Sequence, residues 1–338
     1  MLPNNQTSGR RPSLSDVAAA AGVGKSTAAR ALADGRKVAR KTQKVVQEAA
    51  RKLGYQPDIL FSSRARDHWR STGKFSGIPI VYLHHHAYAV DLNAKFGPGL
   101  AETARASGFH LDLIDAEAYP DPRRLNQVLL ARGIQGVILG TCRCPLERMH
   151  LDWSPFSVVA CENSHFKPPC DWVLQDYAWS MRQACIQVAR RGYRRPALAI
   201  LREVRTDDHW QMESAFRITC EELLGAASLP VYYGGFGDEV GFFNWMDQAR
   251  PDVVISNNPT PAWWIQPART PAFACITCGP DSHVSGFGPV LPLLLERALQ
   301  QLESLLRRNQ RGLPASPTVL HVQPPWQEGE TLPDRSGS

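Results

Sequence analysis

Beyond residue 77 the sequence alternates between short apolar runs, typical of buried strands, and longer segments with helical apolar periodicity. Parallel strands need crossover connections, so this alternation predicts an α/β fold with parallel sheets covered by helices on both faces. Strands are predicted at 78–83, 109–114, 136–139, 157–161, 197–201, 231–233, 253–256 and 273–277, with intervening helices ending near 107 and 130 or spanning 178–191 and 210–224. In such sheets a ligand is expected at the carboxyl ends of the strands.

Three short helices are predicted ahead of this pattern, over 14–21, 25–33 and 42–53. Ser13 can cap the first, and Gly22 and Gly54 end the first and third. The second helix presents two faces, one with Ala28, Ala31 and Leu32 and the other with Lys25, Ser26, Ala29 and Arg30. The third carries an apolar stripe of Val45, Val46, Ala49 and Leu53. Small alanines let helices cross closely, so a compact helix-turn-helix domain is expected.

Positive charge is concentrated in the first 75 residues, which hold 15 Lys and Arg against 5 Asp and Glu, a net charge of +10. The other residues hold 23 basic and 27 acidic side chains, a net of −4, within an overall charge of +6. This asymmetry is typical of a module that neutralises nucleic-acid phosphates. A solvated basic tail would give the same count, so charge alone leaves both interpretations open.

The length of 338 residues exceeds the usual size of one hydrophobic core, so two domains are expected. Between Asp58 and Gly77 the apolar pattern gives way to Ser, Arg, Lys and Gly, which is typical of a linker. We expect a headpiece at 1–57, ordered from about residue 13, a hinge at 58–77 and a larger domain at 78–330. Because no secretory or membrane-spanning stretch is evident, a cytoplasmic location is expected.

The eight cysteines, all from Cys142 onward, do not follow the spacing of a zinc site. Cys142 and Cys144, and Cys275 and Cys278, are close in sequence but lack a second matching pair, so ordinary reduced thiols are expected. The run of His84 to His86 is interpreted as a loop with solvated or hydrogen-bonded imidazoles. No metal or other cofactor is predicted.

Residues 14–58 carry a specific set of short motifs: Asp-Val-Ala from Asp16, Ala-Gly-Val from Ala21, Thr-x-x-Arg from Thr27 and Leu-x-Tyr-x-Pro from Leu53. At these spacings the segment resembles the headpiece of the lactose/galactose repressor family. The resemblance implies a helix-turn-helix that binds an operator and a bilobed domain like a periplasmic binding protein. That domain is expected to bind a small effector and to form a homodimer, and the chain is expected to be a repressor.

The resemblance and the charge together predict the residues that contact DNA. In a helix-turn-helix the second helix enters the major groove, where Lys25, Ser26 and Arg30 can reach base edges. Thr27, Thr42 and Tyr55 are better placed for phosphates. The full predicted set is Ser15, Lys25, Ser26, Thr27, Arg30, Lys37, Thr42, Tyr55 and Arg64.

The hinge departs from the family pattern. Relatives carry a leucine that wedges into the minor groove, and the corresponding position here holds Arg64, with Leu60 and Phe61 as alternative wedges. A guanidinium suits a narrow, electronegative minor groove better than an unstacked base step. Weaker bending of DNA than in those relatives is therefore expected.

The effector pocket departs as well. Where relatives have an arginine and an aspartate that often hold sugar hydroxyls, this sequence has Met212 and Asn258, so sugar chemistry cannot be carried over residue by residue. Polar and aromatic side chains near predicted strand ends are the remaining candidates. They are Glu162, Asn163, Asp176, His209, Trp210, Asn257, Asn258 and Trp263. A small polar effector, such as a sugar, is expected.

Other functional classes fit less well. Ala19 and the Gly24-Lys25-Ser26 run match a relaxed phosphate-binding loop, but that loop needs a buried strand immediately before it. A solute-binding protein is disfavoured by the basic headpiece. An enzyme is disfavoured because no nucleophile, base and orienting group converge on a motif. Within the regulator class, the alternative is a degenerate pocket that responds to no effector.

Overall fold

The computed structural model describes residues 14–33, 38–53, 77–85, 97–142, 151–161, 168–201, 207–225, 230–265, 271–279 and 283–336. The chain divides into two compact units, Met1–Phe75 with Leu305–Gln310 and Ser76–Ser304 with Arg311–Ser338. Within the described segments, no helix has the length and apolar character needed to cross a membrane.

The described residues of Met1–Phe75 form a bundle of three helices, α1 (Leu14–Ala20), α2 (Lys25–Ala33) and α3 (Arg40–Leu53). Gly22 adopts a φ of 63° in the turn between α1 and α2, a backbone conformation that side chains with a Cβ disfavour. The Val23 amide donates to the Ala18 carbonyl at 3.0 Å and fixes this turn. A helix-turn-helix therefore forms at the predicted place, with α2 at the predicted bounds.

The core of this bundle is built from small residues. Ala18, Ala28 and Ala31 are buried with Val17 and Val46, so the helices pack closely. The apolar stripe predicted for α3 is wrong in part. Val46 and Ala49 face the core together with Ala50, whereas Val45 and Leu53 are exposed. Spacings of three, four and seven residues from Val46 lead to Ala49, Ala50 and Leu53, so Val45 falls outside the contact stripe. Leu53 lies on the stripe but is exposed as the last residue of α3.

The described residues from Ile78 onward contain twelve labelled strands and seven further α-helices. The strands are β1 (Ile78–His85), β2 (Phe109–Asp115), β3 (Gly136–Cys142), β4 (Ser157–Cys161), β5 (Asp171–Gln175), β6 (Pro196–Leu201), β7 (Val231–Gly234), β8 (Val253–Ser256), β9 (Ala272–Cys275), β10 (Gly286–Phe287), β11 (Val319–Val322) and β12 (Trp326–Gln327). The helices are α4 (Gly97–Ala106), α5 (Pro122–Ala131), α6 (Tyr177–Arg190), α7 (Asp207–Leu224), α8 (Glu239–Ala249), α9 (Thr260–Trp264) and α10 (Val290–Arg307).

These strands form two sheets of six. The first has the order β11-β5-β4-β3-β1-β2, and the second has the order β12-β10-β9-β8-β6-β7. Pairing is parallel throughout except for the antiparallel pair β10 and β12. The chain passes between the sheets after β5, after β10 and after β11. We call the parts around the two sheets the first lobe and the second lobe. The predicted α/β fold with a bilobed, periplasmic-binding-protein-like domain is confirmed.

Both faces of the second sheet are covered, as parallel pairing requires. Leu198 and Ile200 of β6 pack with α6 and α7, where Met181 and Phe216 are buried. The intervening Ala199 of β6 faces the opposite cluster, which includes residues of α8 and α9. Every residue of β6 is therefore apolar.

Several elements differ from the sequence predictions. Helices α8, α9 and α10, the strands β10 to β12, and the separate strand β5 were not predicted. Helix α8 is rich in aromatic residues and contains Gly241, so its periodicity and helix propensity are weak. His84 and His85 lie in strand β1 rather than in a loop, and His84 is buried. Strand β1 therefore continues through His85 and is eight residues long.

Candidate DNA-binding surface and effector site

Helix α2 presents its first turn to solvent. Lys25 and Ser26 are exposed, whereas Ala28 and Ala31 face the core. The amides of Thr27 and Ala28 both donate to the Gly24 carbonyl, at 2.9 and 3.0 Å, so the helix begins at this point. An exposed helix start with a lysine and a hydroxyl is the arrangement that places side chains against base edges.

The other predicted DNA contacts are distributed over the bundle. Ser15 is exposed on α1, and Thr42 is half-buried in the first turn of α3. Arg30 lies in α2, but its side chain falls outside what the structure describes, as do all of Lys37, Tyr55 and Arg64. Helix α3 adds exposed basic side chains that the sequence analysis did not single out, namely Arg40, Lys41, Lys44, Arg51 and Lys52.

The phosphate-loop interpretation of Gly24-Lys25-Ser26 is wrong. Helix α1, not a buried strand, precedes this segment, and the turn at Gly22 leads directly into α2. A phosphate-binding loop needs the strand because the strand aims the loop amides at the phosphates.

In the second lobe, the strand order reverses between β6 and β8, which is where an open α/β sheet forms a ligand crevice. Asn257 follows β8 and bridges this gap. Its Oδ1 accepts from the Leu201 amide at 2.9 Å, and its Nδ2 donates to the Leu201 carbonyl at 3.0 Å. Asn258 holds the start of α9 instead, accepting from the Thr260 amide at 2.9 Å. Both predicted asparagines lie at the crevice, and both have structural hydrogen bonds.

The first turn of α7 brings a buried acidic residue to the same edge. Asp208 is 8% exposed, and its Oδ2 lies 3.8 Å from Nε2 of the buried His209. Its Oδ1 has no hydrogen-bond partner in the described structure. A buried carboxylate oxygen without a donor is costly, and a ligand hydroxyl or amine can supply one. Sequence analysis chose His209 but missed Asp208.

A sequence signal for Asp208 did exist. It lies seven residues after the end of the predicted strand 197–201, within reach of the carboxyl edge. The adjacent Asp207 makes the pair look like an ordinary acidic helix start. Only burial distinguishes Asp208 from a solvated capping residue.

Other effector candidates are placed elsewhere. Trp210 is 63% exposed and lines a groove of about 670 Å³ between α6 and α7, together with Asp176, Trp179, Arg182 and Glu222. Asp176 also caps α6, since its Oδ1 accepts from the Trp179 amide at 3.0 Å. Trp263 is exposed on α9. The structure therefore brings Asp176 and Trp210 to a groove, and His209 and the two asparagines to strand ends. Glu162 and Asn163 lie outside the described residues.

Met212 is buried in the second lobe at the position where the family resemblance expects an arginine. Its thioether packs among apolar side chains, so this position offers no positive charge to a ligand. Among the residues that the structure describes, no group of three or more His, Cys, Asp or Glu is arranged to hold a metal ion.

Gln175 joins the lobes at the point where β5 leads into α6. Its Nε2 donates to Ser180 Oγ at 3.0 Å and to the Ile276 carbonyl, and its Oε1 accepts from Thr277 Oγ1 at 3.0 Å. Gln175 is fully buried. This one amide therefore fixes the end of β5, in the first sheet, to the segment after β9, in the second.

Comparisons with known proteins agree with this architecture. The model of the lacI family of bacterial regulatory proteins matches residues 13–58. No curated protein has significant sequence similarity to the chain.

The solved structures that share the fold include the following three. The transcriptional regulator CelR in complex with cellobiose has a TM-score of 0.58 and 20% identity, over 95% of this chain and 100% of that one. The lac repressor dimer bound to operator and the anti-inducer ONPF has a TM-score of 0.54 and 15% identity, over 96% and 100%. A LacI-family regulator from Silicibacter pomeroyi has a TM-score of 0.52 and 16% identity, over 95% and 99%.

We predict that Gln175→Ala lowers the free energy of unfolding by about 1–3 kcal/mol, because buried polar groups of both lobes lose their partner. The matched control is Gln323→Ala, which removes an exposed amide with one 3.4 Å hydrogen bond to Asp176. Urea unfolding followed by circular dichroism measures both. Equal effects of the two substitutions would show that the link between the lobes contributes nothing beyond an ordinary surface contact.

Proposed function

We propose that this chain, whose residues 13–58 belong to the lacI family of bacterial regulatory proteins, is a sequence-specific DNA-binding transcription regulator controlled by a small polar effector. The observation that carries the proposal is the three-helix bundle at the matched residues, with the start of α2 exposed. Repression is the mode of regulation that we propose, and a cytoplasmic location follows from it. We assign no enzymatic activity to the chain.

DNA binding by the headpiece is supported by its charge. Exposed Lys25 on α2 and exposed Arg40, Lys41 and Lys44 on the first half of α3 are available to phosphates. Neutralising phosphates releases condensed counterions, so the affinity depends on salt without depending on sequence. We assign recognition of the bases to α2, and Arg30 is the residue predicted to bind a guanine.

We predict that Arg30→Ala weakens binding to a duplex selected from a random pool by about tenfold, and relaxes preference at one base pair per half-site. Affinity of the unmodified protein should fall by about 10³-fold between 50 and 200 mM salt if six or more phosphates are contacted. Fluorescence anisotropy measures both quantities.

Arg105→Ala is the control for that experiment. Arg105 is an exposed arginine of α4, outside the headpiece, and is ion-paired with Glu102, so its loss should change affinity less than twofold. A uniform loss of affinity across all sequences with Arg30→Ala would reassign Arg30 to a phosphate contact.

The effector site that we propose lies at the carboxyl ends of β6 and β8. Asp208 supplies an acceptor there, His209 lies beside it, and Asn257 holds the crevice open between the strands. Because Met212 replaces a cationic residue, an acidic ligand has no counter-charge at that position. A neutral ligand with hydroxyl groups satisfies the free oxygen of Asp208, and this supports a sugar-like effector. Two of the similar structures contain cellobiose and the anti-inducer ONPF.

We predict that a ligand found by thermal-shift screening of carbohydrates and nucleosides loses affinity by about tenfold to hundredfold in Asp208→Ala, because a hydrogen bond to a charged group is removed. Asn257→Ala should also weaken binding, since the crevice loses its bridge. Asp247→Ala, at an exposed position on α8, is the control and should bind normally. Titration calorimetry gives the affinities.

Trp210→Ala distinguishes the strand ends from the groove between α6 and α7. If this variant loses the ligand while Asp208→Ala retains it, the effector binds in the groove and our assignment is wrong. If no compound in the panel shifts the melting temperature, the alternative of a degenerate pocket gains support.

A homodimer is the assembly that we propose, because two headpieces can then read the two halves of a symmetric operator. Val240 on α8 is 74% exposed and Trp263 on α9 is 65% exposed. The two helices adjoin, with the rings of Phe242 and Trp264 5.3 Å apart. Large apolar side chains left in water on adjoining helices favour contact with a second copy.

We predict that Val240→Glu shifts the protein from dimer to monomer in light scattering coupled to size-exclusion chromatography, because a buried carboxylate at an interface is costly. Leu223→Glu, at an exposed position on α7 of the same lobe, should leave the mass unchanged. A monomer in the unmodified protein at micromolar concentration would refute the dimer proposal.

A further inference from the structure

Two buried thiols face each other between α6 and α7. The sulfurs of Cys185 on α6 and Cys220 on α7 lie 4.0 Å apart, and each residue is 3% exposed. Their surroundings are apolar, with Met181, Val188 and Phe216 in the same cluster. Both cysteines are free thiols.

The contact between the thiols makes their pKa values unequal. Their hydrogen bond raises the pKa of Cys185 and lowers the pKa of Cys220, as expected when two buried thiols share one proton. Burial further raises the pKa of Cys185. Cys220 is therefore the more nucleophilic partner, since the thiolate is the reactive form of cysteine.

The position of Cys220 also favours it as the first to react. It lies four residues before the end of α7 at Leu224, and the following Glu221, Glu222 and Leu223 are exposed. Helix ends open locally more often than helix centres. Cys185 lies five residues before the end of α6, but the residues that follow it up to Ala189 are partly or fully buried, so it meets solvent less often.

Cys275 and Cys278 are a second pair of interacting buried thiols, and burial and the Cys278 thiol raise the pKa of Cys275. Burial raises the pKa of Cys170 to about 12, so its thiolate is scarce. Cys278 directs its sulfur to the backbone carbonyls of Cys275 and Val284, each at 3.8 Å. Cys275 is held in β9, with its sulfur 3.2 Å from the Thr277 carbonyl.

We propose that Cys185 and Cys220 form an oxidation site at which a hydroperoxide is reduced and a reversible disulfide joins α6 to α7. The Cys220 thiolate attacks the peroxide, its S–O bond forms as the O–O bond breaks, and the released oxygen takes a proton. The Cys185 sulfur then attacks the sulfenic sulfur, the S–S bond forms and the S–O bond breaks. Hydroxide leaves and takes the Cys185 proton as water. Two thiols lose two electrons and two protons, and hydrogen peroxide becomes two waters.

The disulfide needs a sulfur separation of about 2.0 Å, so each sulfur moves by roughly 1 Å. The bond closes a loop across 35 positions of the sequence and ties together helices that begin at Tyr177 and Asp207. Oxidation thus stiffens the helix pair that carries Asp208.

Peptide mapping of the full chain tests the proposal directly. The protein is treated with hydrogen peroxide, alkylated with iodoacetamide under denaturing conditions and digested with trypsin without reduction. Residues 183–190 contain Cys185 as their single cysteine, and residues 218–269 contain Cys220 as theirs, because trypsin does not cleave before Pro251. We expect mass spectrometry to find these two peptides linked, and dithiothreitol to separate them.

The melting temperature supplies a second readout. The oxidised protein should melt about 5 °C or more above the reduced protein, because the cross-link constrains the unfolded chain. This difference should vanish in Cys220→Ser and persist in Cys170→Ser, which removes a buried thiol elsewhere.

Recovery of both cysteines in alkylated form after peroxide would overturn the proposal, as would a predominant disulfide between other cysteines. Because the peptide map uses the unmodified protein, these outcomes do not depend on whether a serine variant folds.

Discussion

Burial of both faces of the parallel sheets is the constraint from which the larger unit follows. A strand such as β6 contacts α6 and α7 with one set of side chains and the cluster of α8 and α9 with the other. Polar groups have no place along such a strand, because a buried polar atom without a partner destabilises the fold. They therefore collect where strands end, and this places Gln175, Asn257 and Asp208 at or beyond the ends of β5, β8 and β6.

The chemistry at those strand ends has two parts. Gln175 and Asn257 use their amides to hold backbone together, one between the lobes and one across the strand reversal. Asp208 has a buried oxygen that nothing in the described structure satisfies. An unsatisfied acceptor surrounded by rigidly held groups is preorganised for a ligand, because the site does not need to reorganise when the ligand binds. Met212 is buried in an apolar cluster and supplies no positive charge there.

Helices α6 and α7 link this site to the rest of the second lobe. Both begin at the carboxyl edge, at Tyr177 and Asp207, and both are packed against the same apolar cluster. The groove with Trp210 lies on their outer side, and the thiols of Cys185 and Cys220 lie in their contact. A change in the packing of this pair therefore bears on the orientation of Asp208, whether a ligand, an oxidant or a partner causes it.

The sequence by itself determined the helix-turn-helix, the parallel α/β class and the order of eight of the strands, because these depend on local signals. The bounds of α2 and of strands β4 and β8 follow from the residues within them. Tertiary structure decided which side chains are buried. Val45 looks like a core residue of α3 but is exposed, and Asp208 looks like a solvated helix start but is buried. The sequence periodicity of one helix cannot show which neighbours cover it, because burial is set by segments far away in the chain. The sulfurs of Cys185 and Cys220 come from positions 35 residues apart, and only the packing of two helices brings them within 4.0 Å.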